Sequence, residues 1–132
     1  MRNVVFPVVF SLIVVGSALS AERPHIVGPV IGYQCMTLNL TVEQTQDPNL
    51  HIPVYAGPSA SAQVVGYAAL QVAVRSPLHE VNGFVEALSP MGNVIWIKGN
   101  VLRPYHSLAD PTARCIPVKF SNGRYGFDYP HS

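Results

Sequence analysis

Charge is scarce in this 132-residue chain: Asp, Glu, Lys and Arg together make up 11% of it. The eight basic and seven acidic residues are dispersed. With no Lys/Arg stripe or cluster, nucleic-acid binding has no electrostatic support, and no basic amphipathic helix is present to lie on a membrane. The five histidines, His25, His51, His79, His106 and His131, never recur at i, i+2 or i, i+4. No Cys/His spacing suits zinc, so no metal and no cofactor is expected. Phosphate loops, dinucleotide fingerprints and the Gly-x-Ser-x-Gly nucleophile motif are also missing. Ser59 and Ser61 read as turn residues without a base nearby, and Glu80 and Glu86, on either side of Asn82-Gly83, read as surface charges. No catalytic residue is assigned, and the chain reads as non-enzymatic.

Helical periodicity is missing too. No segment sustains a 3.6-residue period, and the apolar runs are short and bounded by turn residues, with 12 prolines and 10 glycines. That is the profile of an all-β domain. The exception is the start of the chain. Arg2 precedes an apolar run from Val4 to Val15, and Gly16 to Ala21 offers small residues for cleavage after Ser20 or Ala21. This is the pattern of a secretory signal peptide over residues 1–21; a membrane-spanning helix needs about 17–25 apolar residues. The expected location is secreted or periplasmic, with no stable membrane insertion after cleavage. Processing removes 21 of 132 residues and leaves 111, with seven basic and seven acidic residues.

Two cysteines remain, Cys35 and Cys115. Pairing is the default in an oxidising compartment. A bond closing a loop of this length stabilises by roughly 4–5 kcal/mol in the chain-entropy account. The alternative is a nucleophilic cysteine beside a histidine, but neither cysteine sits in a nucleophile motif.

Along the chain, Glu22 to Gly32 is broken by prolines and glycines and reads as a loose arm. Tyr33 to Leu40 reads as a strand. Thr41 and Gln44 fit a capping box that starts one helical turn. Further strands are expected over Leu50–Tyr55, Gln63–Tyr67, Gln71–Arg75, Phe84–Leu88 and Val94–Lys98. Val72 and Val74 fall on one face, and Gln71, Ala73 and Arg75 on the other. Asn82-Gly83 signals a tight hairpin turn. Cys115–Phe120 and Tyr125–Tyr129 form a terminal hairpin around Asn122-Gly123, stapled back by Cys35–Cys115. Its aromatic residues, Phe120, Tyr125, Phe127 and Tyr129, suit a lid over a core or an open edge strand; the other use is a platform for a partner protein.

The stretch Ile52-Pro53-Val54-Tyr55-Ala56-Gly57-Pro58-Ser59, then Ser61, Val64-Val65-Gly66, Val72 and Val74, Asn82-Gly83-Phe84-Val85-Glu86-Ala87, and Trp96-Ile97 through Leu102 resembles a bacterial SH3-like (SH3b) domain. The resemblance covers residues 50–102, about half of the processed chain. It implies a small five-stranded barrel over residues 50–105, with a 22–49 extension before it and a 106–132 loop and hairpin after it. It also implies binding rather than catalysis, with a peptide, a cell-wall component or an envelope protein as partner. The alternative is a secreted inhibitor or accessory subunit of a protein partner. The chain departs from the family pattern at Phe84, Val101 and Ile95, where the family commonly has Trp, Tyr and Gly. The candidate ligand-binding residues are Tyr55, Phe84, Trp96 and Tyr105; Trp96 also suits half-buried packing.

Overall fold

The computed structural model describes residues 3–5, 7–9, 11, 22–107 and 109–131. Most of the signal peptide expected over residues 1–21 therefore lies outside the described residues. Among the described residues no helix is long and apolar enough to cross a membrane.

The chain is all-β. In order come β1 (Ile26–Pro29), β2 (Tyr33–Leu38), a one-turn helix α1 (Val42–Thr45), β3 (Pro53–Tyr55), β4 (Val64–Tyr67) and β5 (Gln71–Arg75). Then follow β6 (Glu80–Val81), β7 (Phe84–Leu88), β8 (Val94–Lys98), a 3-10 turn over Gly99–Val101, β9 (Leu102–Pro104), β10 (Ile116–Phe120) and β11 (Tyr125–Asp128). The expected capping box is present: Gln44 N–H donates to Thr41 Oγ1, and Thr41 N–H donates to Gln44 Oε1. The two-residue turn between β6 and β7 has Asn82 at φ 52° and Gly83 at φ 80°, the left-handed pair that a tight hairpin demands.

The larger sheet runs β4-β3-β8-β7-β5-β2-β9, with β6 paired to β7. Alternate residues of its strands meet in one core: Leu38, Val54, Val72, Val74, Val85, Ala87, Ile95, Ile97 and Leu102. Period-2 alternation brings these together, since Val72 and Val74, Val85 and Ala87, and Ile95 and Ile97 each share a face.

The expected closed barrel of five strands is not what forms. β5 pairs with β7 on one side and with β2 on the other, so it has no free edge for β4. β2 arises from residues expected to form an extension, and Leu38 carries it into the core. The sheet stays open, with β4 and β9 at its ends. The stretch expected to be a loose arm also differs, because Ile26–Pro29 pairs with β10. Pro29 is tolerated there because β1 is an edge strand.

β1, β10 and β11 make a second, three-stranded sheet. The expected Cys35–Cys115 disulfide ties β2 to the residue just before β10, with the two Cα atoms 5.7 Å apart. Further along, Tyr125 N–H donates to Pro90 O at 2.8 Å. Gly92, at φ 88°, keeps this contact open, since a Cβ there would stand 2.8 Å from the Tyr125 ring. Ala73, on the face opposite Val72 and Val74, is only 5% exposed. Pro117, Tyr125 and Phe127 of the terminal sheet line one pocket with Ala73 and with the core residues Val54, Val72 and Ile95.

Candidate functional site

Antiparallel register sets five side chains in a row on the face of the larger sheet opposite its core. Tyr33 on β2 is opposite Arg75 on β5. Val74 is opposite Ala87, which brings Arg75 level with Glu86 on β7. Glu86 is opposite Trp96 on β8, and Trp96 is opposite Tyr55 on β3. The row reads Tyr33, Arg75, Glu86, Trp96, Tyr55.

Side-chain contacts link the row from Tyr33 to Glu86 directly and from Glu86 to Trp96 through His79. The Arg75 guanidinium lies over the Tyr33 ring, 5.6 Å from its centroid, a cation–π distance. Arg75 Nε is 3.2 Å from Glu86 Oε2. Glu86 Oε1 is 3.3 Å from His79 Nδ1, and Glu86 N–H donates to His79 O at 2.9 Å, so β7 fixes the histidine from two points. His79 in turn sets its ring against Trp96, with centroids 5.5 Å apart and planes at 61°. Glu86 is the sheltered member, its side chain 17% exposed, while Arg75 and His79 are 51% and 55% exposed. The half-buried Trp96 ring, the exposed Arg75 guanidinium and the exposed His79 imidazole thus surround one carboxylate. Such a surface can stack a planar or apolar group and hydrogen-bond to it.

Three of the four residues expected at a ligand site come together. Tyr55 and Trp96 are strand partners, and the Tyr55 and Phe84 rings meet edge-on at 5.4 Å. Tyr55 and Phe84 are 8% and 6% exposed, so they do not form an open wall. Tyr105 stands elsewhere, 6.0 Å from Tyr129 and close to the disulfide. Burial, and then the Tyr105 phenol nearby, pushes the Tyr129 hydroxyl up from its ordinary value.

Sequence reasoning missed Tyr33, Arg75 and His79, and left Glu86 as a surface charge. One signal was available for Glu86: it is the lone charge in the strand FVEAL. Nothing local marked the others, because only pairing to β5 and β7 brings Tyr33 and Arg75 to it. Among the described residues no cluster of three or more His, Cys, Asp or Glu is placed to hold a metal. The disulfide points to an oxidising, extracytoplasmic setting.

Compared with known proteins, the chain matches no family model, no curated protein and no solved structure.

Proposed function

We propose that this is a secreted or periplasmic, non-enzymatic SH3-like binding domain whose partner is a peptide, a cell-wall component or an envelope protein. The observation that carries the proposal is the row Tyr33–Arg75–Glu86–Trp96–Tyr55, with His79 bridging Glu86 and Trp96. The signal-peptide pattern, the disulfide and the order of the GPS, VVG and Trp segments support it. The ligand lies across Trp96 and is held by Arg75 and His79. Retention on purified peptidoglycan tests the wall form of this reading. Trp96→Ala and Arg75→Ala, checked for folding by circular dichroism, should each weaken retention about tenfold or more, as anchor residues do. Tyr105→Ala should leave it unchanged. Retention indifferent to Trp96 and Arg75 sinks this site.

A second reading, an inhibitor or accessory subunit, rests on a different surface. Val65, Tyr67, Met91 and Val94 are 49%, 64%, 65% and 54% exposed, and they border one groove beside β4. Exposed apolar patches mark protein contacts. A stoichiometric protein partner that is recovered from native envelope and lost with Val94→Lys favours this reading over the first.

A further inference from the structure

Among the described strands, five are paired on one side only: β1 and β11 in the terminal sheet, and β4, β6 and β9 in the larger one. Such edges present unpaired N–H and C=O groups to any strand that approaches, and charges and prolines are the usual guards. Four of the five carry one: Pro29 on β1, Glu80 on β6, Arg103 and Pro104 on β9, and Asp128 on β11. β4, Val64-Val65-Gly66-Tyr67, carries neither. The neutrality reaches well past the strand, since no Asp, Glu, Lys or Arg occurs between Asp47 and Arg75. Val64, Val65 and Tyr67 are also exposed.

The register says which backbone groups of β4 are available. Ala68 N–H donates to Ile52 O at 2.8 Å, toward β3. In an antiparallel ladder successive residues turn their N–H and C=O to opposite sides, so those of Tyr67 point away from β3. The residue opposite Tyr67 is Pro53, which has no N–H to offer, in keeping with an unbonded pair. The ladder irregularity between Val54 and Tyr55 leaves Val65 as the extra residue of a bulge. The regular outer edge therefore begins at Gly66 and centres on Tyr67.

We propose that β4 pairs with β4 of a second copy of this chain, antiparallel and about a two-fold axis at Tyr67. Tyr67 N–H of each copy donates to the Tyr67 C=O of the other. The same register sets Val65 opposite the partner's Ala69 and brings the two Tyr67 side chains together, a favourable cross-strand pair. Charge is what selects a second copy. Two-fold pairing applies the same patch to itself, so any charge on the edge meets its own kind, and like charges opposite one another destabilise a sheet. β4 has no charge to repel its mate. The pairing needs neither a ligand nor a partner protein, so it stands apart from both readings above.

Sedimentation of the purified, oxidised protein tests this. Few residues pair, so the interface is a weak one and the series runs from about 10 μM to about 1 mM. The protein should pass reversibly from monomer to dimer and no further, with concentration-dependent amide shifts centred on Tyr67. Tyr67→Pro deletes the outward N–H of each copy, two hydrogen bonds in all, and should weaken dimerisation about tenfold or more. An edge strand accepts proline where the N–H faces outward, so circular dichroism should be unchanged. Val65→Lys should also weaken the dimer, more at low salt than at high. Val27→Lys, the same change on the β1 edge, should have no effect. Should Tyr67→Pro fail to fold, Val65→Lys decides by itself. A monomer throughout the series, open-ended oligomers, a dimer indifferent to Val65→Lys, or equal weakening by Val27→Lys would each overturn the proposal.

Discussion

In the larger sheet Ile97 and Val74 are fully buried, and nine residues from six of its strands share one core. In the terminal sheet no residue of β1 or β11 is buried, and only β10 has buried residues, Pro117 and Val118, which as strand neighbours face opposite sides. The first region is held by apolar burial. The second has too little inward surface for that, and is held by Cys35–Cys115 at one end and by Tyr125 against Pro90 toward the other. A small sheet can therefore stay docked without a core of its own where a covalent bond and a backbone hydrogen bond fix it.

Removing the disulfide should break this contrast most strongly. The pair Cys35→Ser and Cys115→Ser should lower stability by up to about 4–5 kcal/mol, the chain-entropy value for a loop this long. Amide exchange should accelerate first in β1, β10 and β11. Equal loss of protection in β5 and β7 would mean that the two sheets unfold as one unit. Core truncation comes next. Ile97→Ala should cost about 2–5 kcal/mol, read by denaturant unfolding, and should expose both sheets at once. Val118→Ala removes less buried area and should cost about 1–3 kcal/mol, with the terminal sheet released first. If Val118→Ala proves as costly as Ile97→Ala, the terminal sheet has more of a core than its burial suggests.

The smallest effect is acid-dependent and confined to the segment leading into β10. The Thr112 hydroxyl and N–H donate to Asp110 Oδ1, and His131 contacts Oδ2 at 2.6 Å. These bonds, Thr112 first, hold the Asp110 carboxyl below its ordinary value of 3.8. A carboxyl depressed in the folded state stabilises above its unfolded value, and that contribution fades as the pH falls through the folded value. The Thr112 amide and the His131 ring should therefore shift together below pH 3.8 while the core of the larger sheet stays unchanged. Asp110→Asn should remove the step. A transition shared with β5 and β7 would instead tie the two regions together.

Much of the chain was legible residue by residue. Val72 with Val74, Asn82-Gly83, the Thr41–Gln44 capping box and the Cys35–Cys115 pairing are local or two-body features, and each forms as expected. The partner strands were less legible. β2 looked like an extension because nothing in YQCMTL names β5 as its neighbour. That pairing keeps the sheet open, buries Leu38 and brings Tyr33 to Arg75. For the same reason Tyr55 and Phe84 looked like groove residues while their burial stayed hidden, and Tyr105 was grouped with them although its neighbour is Tyr129.

By itself, then, the sequence determined the all-β class, the turns, the alternating core faces and the disulfide. Short-range sterics, period-2 patterning and the chemistry of two thiols are enough for these. Tertiary structure alone decided that β5 takes β2 and not β4, that the terminal sheet shares a pocket with Ala73, and that Glu86 lies between Arg75, His79 and Trp96. Those outcomes depend on which strand edges find each other. Edge choice is settled by burial summed over the whole sheet and by the loop closed between Cys35 and Cys115, not by any single residue.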